Sequence, residues 1–385
     1  MYSLKDLMRS ATRLTQAGGL RQAAEQIQRA LKEAGLVGPD SLRPAGFVAP
    51  APADTAPPAS GTVLDVDAVE VDAAPASVAE GQGGDFIAGS HSHAGRSLGY
   101  KLYVPPGAEG KHLPMVVMLH GCTQDPDDFA AGTGMNELAR EQGFYVLYPA
   151  QAADANPSRC WNWFKHNHQR RGSGEPAVIA SLTQAVIQAR GIDPDRVYVA
   201  GLSAGGAMAA ILADAYPDIF AAAAVHSGLP QGAARDMTGA FTVMKTGIGM
   251  VPGPVAQARA ASSVPPVPTI VFHGDRDDTV HPLNGENVIA TALDAARAHA
   301  DAGEAPHVTR VEHGAAPHGH SYTRTIHETP DGGALAEHWL VHGAGHAWSG
   351  GRPAGSYTDA AGPDATREML RFFAACAKAE NALVK

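Results

Sequence analysis

The sequence predicts an α/β fold in which a mostly parallel sheet is covered by helices on both of its faces. Five short apolar runs support this prediction, and helical stretches separate most of them. The runs are Met115–Leu119, Tyr145–Tyr148, Val197–Ala200, Ala221–Val225 and Thr269–Phe272. Strands that are apolar along their whole length are typical of a parallel sheet buried on both sides. The third run leads directly into a Gly-x-Ser-x-Gly motif, which narrows the fold class further.

Two segments precede the domain that we predict at residues 86–385. Residues 1–35 carry apolar residues at helical spacing, interrupted by Gly18-Gly19, which predicts a helical arm. Residues 36–85 are rich in Pro, Ala and Asp and contain almost no aromatic residues, which is typical of a disordered or extended linker.

The remaining elements of the domain follow from apolar periodicity. Ser97–Val104 alternates apolar and polar residues, as a half-buried antiparallel edge strand does. Further strands are expected late in the chain, and an amphipathic helix closes it. These late elements are Val308–Glu312, Tyr322–Ile326, Glu337–Val341 and the helix Thr366–Lys378.

Composition argues against several classes of function. The chain has a net charge of −10, and its sequence shows no cluster of basic residues of the kind that binds nucleic acid. No apolar run approaches the ~18 residues of a membrane span. Basic residues are spread through residues 1–20, which therefore lack the apolar core of a signal peptide. We expect a cytoplasmic protein or one that is exported by a non-classical route.

The segment Val197–Gly206 reads as a strand, a tight turn and the start of a helix. This context makes Gly201-Leu202-Ser203-Ala204-Gly205 a nucleophile elbow, the turn that presents the serine of α/β-hydrolases. A Cβ at Gly201 or Gly205 would crowd the neighbouring strand or helix. We therefore predict the α/β-hydrolase fold, preceded by the N-terminal helical segment and linker, with Ser203 as a nucleophile on a strained backbone.

A serine needs a base, and this fold supplies an acid and then a histidine after the serine in chain order. The run Thr269–Phe272 is followed by three aspartates. Asp277, three residues after Gly274, is the predicted acid, and Asp278 is the alternative.

The predicted base is His346, which follows the last strand. Its flanking glycine and alanine leave room for the ring to reach Ser203. His342 is the alternative, although it lies nearer the strand. Two backbone N–H groups are expected to bind the oxyanion. One is that of Ala204; the other comes from the loop after the strand Met115–Leu119, where Cys122 is predicted and Thr123 is the alternative.

Five motifs, in the same order, resemble the polyhydroxybutyrate (PHB) depolymerase family of esterases over residues 95–375. They are Leu119-His120-Gly121-Cys122-Thr123-Gln124, Cys160-Trp161-Asn162-Trp163-Phe164, Gly201–Gly206, His273–Val280 and Gly345–Gly351. The resemblance implies an α/β-hydrolase that cleaves carboxylic esters with a triad at Ser203, Asp277 and His346, without a cofactor. The family includes depolymerases of short-chain polyhydroxyalkanoates and also feruloyl and acetylxylan esterases.

Four residues in or beside these motifs raise further expectations. Cys122 and Cys160 are predicted to form a disulfide; the alternative is two reduced, buried thiols, which a cytosolic location favours. Trp161 and Trp348 are predicted to bind substrate, because aromatic faces bind acyl chains or sugars at low entropic cost. The alternative is that both indoles belong to the core.

No metal site is predicted, because the histidines of the loops lack the ligand spacing of a zinc site. These are His166, His168, His313, His318 and His320. Secreted members of the resembled family usually carry a signal peptide and a C-terminal substrate-binding domain, and neither pattern is seen in this sequence. We therefore expect weak binding to solid polymer unless residues 1–35 dock on polymer granules or mediate self-association.

The sequence thus predicts a serine esterase that acts through an acyl-enzyme on polyhydroxybutyrate or its hydroxyalkanoate oligomers. The alternative is a feruloyl or acetylxylan esterase with the same mechanism. A non-enzymatic alternative is a granule-associated adaptor with an inactive hydrolase domain, which the complete set of triad residues argues against.

Overall fold

The computed structural model describes residues 84–248, 264–299, 307–376 and 378. All of these residues belong to the unit Ser77–Lys385. The predicted helical arm (1–35) lies outside the described residues, as does the predicted linker (36–85) apart from its last two residues.

The described residues form two sets of elements. The strands are β1 (Asp85–His93), β2 (Arg96–Val104), β3 (Met115–Leu119), β4 (Tyr145–Ala150), β5 (Val197–Leu202), β6 (Ala222–His226), β7 (Thr269–Gly274), β8 (Val308–Ala315), β9 (Ser321–Glu328), β10 (Ala334–Val341), β11 (Trp348–Ser349) and β12 (Thr358–Asp359). The α-helices are α1 (Pro126–Thr133), α2 (Met135–Gln142), α3 (Gly174–Arg190), α4 (Ala204–Ala215), α5 (Met237–Thr246), α6 (Leu283–His299) and α7 (Ala365–Ala374). None of these helices has the length and apolar character needed to cross a bilayer.

Ten strands form one sheet in the order β1-β2-β4-β3-β5-β6-β7-β10-β9-β8. The six strands from β4 to β10 in this order are parallel. Antiparallel strands extend the sheet at both ends, and β11 and β12 form a separate parallel pair. The prediction of a mostly parallel sheet is confirmed.

Helices cover both faces of this sheet. In β3, Val117 and Leu119 pack in one apolar cluster with residues of α3 and α4. Val116 and Met118 point the other way, into a second cluster with residues of α1, α2 and α7. Because successive side chains of a strand alternate between faces, a run that is apolar throughout fills both clusters.

The structure corrects the prediction for the edge of the sheet. Ser97–Val104 is predicted as the edge strand, but β1 pairs with β2 along its whole length and forms the edge itself. β1 was not predicted because most of its side chains are exposed or only partly buried, so its sequence has no apolar alternation to detect. The closing helix is also shorter than expected and ends at Ala374.

The parallel core determines where side chains from distant parts of the chain meet. The carboxyl ends of parallel strands lie at one edge of the sheet, and the loops that follow them converge there. The loops after β3, β5, β6, β7 and β10 therefore approach one another, although the chain separates the first from the last by more than two hundred residues.

Candidate active site

The serine of the Gly-x-Ser-x-Gly motif lies in the sharp turn between β5 and α4. Ser203 has φ +57° and ψ −118°, a conformation that is strained for a residue with a side chain. Gly201 and Gly205 make this turn possible. A Cβ at Gly201 would lie 2.3 Å from the Gly205 carbonyl, and one at Gly205 would lie 2.0 Å from the Leu119 carbonyl oxygen. Ser203 is partly exposed at the carboxyl edge of the sheet.

A buried aspartate and a histidine are joined beside this turn. Nδ1 of His346 donates to Oδ2 of Asp277 at 2.6 Å, and the aspartate side chain is fully buried. Oδ1 accepts the N–H groups of Thr279 at 2.9 Å and Val280 at 2.8 Å. Burial alone raises the pKa of Asp277, but the His273 ring 3.4 Å away and the hydrogen bonds from His346 and Val280 outweigh it and hold the pKa well below its usual range.

The alternative acid and base lie elsewhere. Asp278 is exposed, and its carbonyl accepts a hydrogen bond from Lys245 Nζ. His342 pairs instead with Asp275, whose Oδ2 lies 2.9 Å from Nδ1 of the ring. The structure therefore brings Asp277 together with His346 and keeps Asp278 and His342 out of that pair.

The loops that carry Asp277 and His346 are joined by backbone hydrogen bonds. Asp275 N–H donates to the Val341 carbonyl at 3.0 Å, and Arg276 N–H donates to the Ala344 carbonyl at 3.0 Å. The Asp275 carboxylate also accepts the Gly343 N–H at 2.7 Å. These bonds precede Asp277 and His346 in their respective loops, and they fix the approach of the carboxylate to the ring.

A second histidine, His226 at the end of β6, connects the serine turn to the loop of His346. Its carbonyl accepts the Ser203 N–H at 2.9 Å, and its ring Nε2 accepts the Ser349 N–H at 2.9 Å. The ring proton therefore lies on Nδ1, which faces Ser227 Oγ at 3.2 Å. Burial lowers the pKa of His226 to about 3, so the ring is neutral at pH 7.

This connection places Ser203 and His346 on loops that share one neighbour. No hydrogen bond within the described residues joins Ser203 Oγ to His346, and that contact stays a prediction. Catalytic hydrogen bonds are often long without substrate and shorten when it binds. His226 is not predicted from the sequence, because its only signal there is its place at the end of an apolar run.

In the loop after β3, the backbone N–H of Cys122 is open to an acceptor. Gly121 N–H donates to Gln124 Oε1 at 2.9 Å, and Thr123 N–H donates to the Ser158 carbonyl at 2.7 Å. Cys122 N–H has no acceptor among the described residues. The Ala204 N–H is the first of α4, where helices have no internal partner for an N–H. The alternative Thr123 is therefore already engaged, whereas Cys122 and Ala204 are available.

Two features hold this loop from beneath. The disulfide between Cys122 and Cys160 joins it to the segment after β4, with the two Cα atoms 4.2 Å apart. The ring of His120 donates from Nδ1 to the Gly121 carbonyl at 2.8 Å and accepts the Gln151 N–H on Nε2 at 3.1 Å. The loop is thus anchored at Cys122 itself and at His120 before it.

The buried carboxylate of Glu175 completes this support. It accepts Gln151 Nε2 at 2.7 Å and, from Asn162, the backbone N–H at 2.7 Å and Nδ2 at 2.5 Å. Burial raises the pKa of Glu175, but the His168 ring 3.4 Å away and the hydrogen bonds from Asn162 and Gln151 outweigh it and lower the pKa below its ordinary value. Glu175 is not predicted from the sequence, because an acidic residue in the first turn of a helix is a common surface pattern.

The structure corrects the prediction that two tryptophans contact substrate. Trp161 is fully buried, and its Nε1 donates to the His120 carbonyl at 3.1 Å. Trp348 is 1% exposed, stacks on His226 at 5.0 Å between ring centroids, and donates to Thr366 Oγ1 at 3.0 Å. Both indoles belong to the core under the loops, with no face left for a ligand.

Comparison with known proteins agrees with this geometry. A family model described as "Esterase PHB depolymerase" matches residues 98–312. The chain belongs to this family. Poly(3-hydroxyalkanoate) depolymerase C of Paucimonas lemoignei is 35% identical over 248 residues, which cover 63% of this chain and 57% of that protein.

Other relatives of this chain are named for different esters. Probable acetylxylan esterase A of Aspergillus fumigatus is 28% identical over 193 residues, 48% of this chain and 51% of that protein. Feruloyl esterase B of Thermothelomyces thermophilus is 34% identical over 134 residues, 34% of this chain and 45% of that protein. The chain therefore spans about half the length of these curated relatives.

A solved structure supports the fold. The acetyl xylan esterase from Aspergillus awamori aligns with a TM-score of 0.54 over 72% of this chain and 94% of its own, at 21% sequence identity. At this identity the likeness concerns the fold, and the α/β-hydrolase fold predicted from the serine turn is confirmed.

The disulfide gives a first testable prediction. Unreduced, unfolded protein should titrate with one free thiol, that of Cys376. Reduction should lower the free energy of unfolding by about 4 kcal/mol, because the cross-link, which spans 38 residues, no longer restricts the unfolded chain. Thermal unfolding followed by circular dichroism measures the loss. The double variant Cys122→Ser, Cys160→Ser should start at the lower stability and show no further change with reductant, and three free thiols before reduction would contradict the cross-link.

The buried ring of His226 predicts a pH dependence of stability. Its folded pKa of about 3 lies below the ~6.5 of an unfolded histidine. Between these values the unfolded chain binds a proton that the folded chain does not, so stability falls as the pH is lowered through this range.

The variant His226→Phe isolates this effect. It keeps an aromatic ring against Trp348 but removes the titrating group. We expect a lower melting temperature at pH 7, because Ser349 N–H loses its acceptor, and a shallower fall between pH 6.5 and pH 4 than in the wild type. Equal slopes for the two proteins would show that His226 is not the group responsible.

Proposed function

We propose that the protein is a serine esterase that hydrolyses 3-hydroxyalkanoate polyester or its oligomers through an acyl-enzyme. The observation that carries this proposal is the 2.6 Å hydrogen bond between buried Asp277 and His346. It lies at the edge of the sheet to which the strained turn of Ser203 also belongs. Membership of the PHB depolymerase family supports the reaction class.

In the proposed first step, His346 Nε2 takes the proton of Ser203 as Oγ attacks the ester carbonyl carbon. Asp277 stays ionised, because its pKa is held low. It fixes the ring tautomer that carries the proton on Nδ1, and it stabilises the imidazolium that forms. The C–O bond to the alcohol then breaks, and His346 returns the proton to the leaving oxygen. Water, activated by the same ring, hydrolyses the acyl-enzyme.

The tetrahedral intermediate places a negative charge on the carbonyl oxygen. We assign its binding to the N–H groups of Cys122 and Ala204, which have no protein acceptor among the described residues. Donors fixed before the reaction stabilise this charge without the cost of reorganisation, and losing one such donor typically slows turnover ~10²–10³-fold. The disulfide and the hydrogen bonds that Glu175 accepts hold the Cys122 N–H in place.

Two substrate classes fit this mechanism. The match to the poly(3-hydroxyalkanoate) depolymerase covers 63% of this chain, whereas the matches to the acetylxylan and feruloyl esterases cover 48% and 34%. This difference favours polyester as the substrate, with acetyl or feruloyl esters as the second candidate. The predicted contact of residues 1–35 with polymer granules stays a prediction, since those residues lie outside the described part of the chain.

A turnover panel tests the proposed function. Purified protein is assayed with a 3-hydroxybutyrate trimer, amorphous polyhydroxybutyrate, methyl ferulate and acetylated xylan. We expect the highest kcat/KM on the hydroxybutyrate substrates and no measurable hydrolysis by Ser203→Ala, which should keep the wild-type melting temperature. Preference for ferulate or acetylxylan would leave the mechanism in place and replace the substrate. Equal activity of Ser203→Ala would refute the nucleophile.

The acid assignment has its own test. Asp277→Asn should lower kcat on a soluble ester about 10⁴-fold, because the amide favours the wrong tautomer of His346. Asp278→Asn is the matched control: it makes the same chemical change one residue away on an exposed side chain and should stay within about twofold of the wild type. If Asp278→Asn were the crippling change, the assignment of Asp277 would be wrong.

A further inference from the structure

An exposed tyrosine lies at the rim of the candidate site. Tyr357 has 47% of its surface exposed, and its backbone has φ +51°. Bulky residues rarely adopt this left-handed conformation, and they keep it only where the surroundings impose it. Thr123, which the tyrosine contacts, also has a positive φ, of +67°.

Two hydrogen bonds place Tyr357 between the loop after β3 (residues 120–124, the oxyanion loop) and the loop after β10 that carries His346 (residues 342–347, the histidine loop). Its hydroxyl lies 3.1 Å from Thr123 Oγ1, and Thr123 follows Cys122 in the chain. Its carbonyl accepts the Trp348 N–H at 2.7 Å, two residues beyond His346. Tyr357 is therefore attached to both loops that the proposed reaction uses, to one through its hydroxyl and to the other through its backbone.

The neighbour of Tyr357 fixes its backbone to the same support as the oxyanion loop. Ser356 donates from its N–H and its hydroxyl to the two oxygens of Asp128, at 2.8 and 2.6 Å. Gln124 donates to the Ser356 carbonyl at 3.1 Å, and its Oε1 holds Gly121 N–H. A side chain that stays exposed on so constrained a backbone loses little conformational freedom when a ligand covers it.

We propose that Tyr357 is a specificity-determining residue whose ring forms a wall of the ester-binding site. The ring contacts the apolar methyl and methylene groups of a chain that extends beyond the reacting ester, next to the carbonyl oxygen that Cys122 N–H binds. This inference rests on the proposed function for the identity of the chain. It assigns to Tyr357 the substrate contact that buried Trp161 and Trp348 cannot make.

The test compares a long substrate with a short one. Wild type, Tyr357→Ala and Tyr357→Phe are assayed with a 3-hydroxybutyrate trimer and with p-nitrophenyl acetate. Loss of the ring in Tyr357→Ala should lower kcat/KM for the trimer about tenfold more than for the acetate, the scale of a lost apolar contact in a specificity pocket. Tyr357→Phe keeps the ring and should keep the wild-type ratio within about twofold. Val311→Ala, at an exposed apolar residue of the edge strand β8, is the control.

The two variants separate substrate binding from support of the loop. If the hydroxyl served only to position Thr123 and Cys122, Tyr357→Phe would lose kcat on both substrates and Tyr357→Ala would lose the two equally. That pattern, or an unchanged ratio in Tyr357→Ala, would overturn the proposal.

A wild type that hydrolyses the acetate but not the trimer would instead overturn the polyester assignment. The role of Tyr357 is then decided with p-nitrophenyl esters of increasing acyl length. Preference for longer chains that disappears in Tyr357→Ala but persists in Tyr357→Phe supports the wall, and preference that survives in Tyr357→Ala refutes it.

Discussion

A buried carboxylate destabilises a fold unless hydrogen-bond donors compensate its charge. The candidate site is arranged around a buried carboxylate that has such donors, that of Asp277. Asp277 has no exposed side-chain surface, yet two backbone N–H groups and the rings of His346 and His273 face its oxygens. The N–H groups come from its own loop. The His346 ring comes from a loop 69 residues later in the chain, which the parallel neighbours β7 and β10 bring to the same edge. The arrangement of the strands is therefore what allows the charge to be buried.

The same logic extends to the oxyanion loop. Glu175 is a second buried carboxylate, and its donors come from the segment that the Cys160 disulfide ties to Cys122. His226 stays neutral, its ring accepts one N–H from the histidine loop, and its carbonyl accepts the Ser203 N–H of the serine turn. Rigid supports of this kind keep reacting groups in a fixed geometry, which is the larger part of what an enzyme contributes to a polar transition state.

Much of this could be predicted from the sequence, for identifiable reasons. Buried parallel strands appear in the sequence as continuous apolar runs, and the Gly-x-Ser-x-Gly motif after such a run indicates a tight turn. The sheet and the turn of Ser203 could therefore both be predicted. β1 was not, because a strand with exposed faces has no apolar pattern. The prediction for the two tryptophans was wrong because the sequence motif does not show whether an indole beside a loop is buried in the core or exposed to substrate. Tyr357 escaped notice for the same reason, since its exposure and positive φ depend on contacts with residues far away in the chain.

The link between Cys122 and Cys160 ties this architecture to its chemical surroundings. Disulfides persist in oxidising compartments and are rare where thiol reductants are abundant. The conformation described above is that of the oxidised chain, in which one covalent bond and several hydrogen bonds together hold the loop after β3. In a reducing compartment the same polypeptide would hold that loop through hydrogen bonds alone. How firmly the loop after β3 is held beside Ser203 thus depends on the redox state of the compartment as well as on the amino-acid sequence.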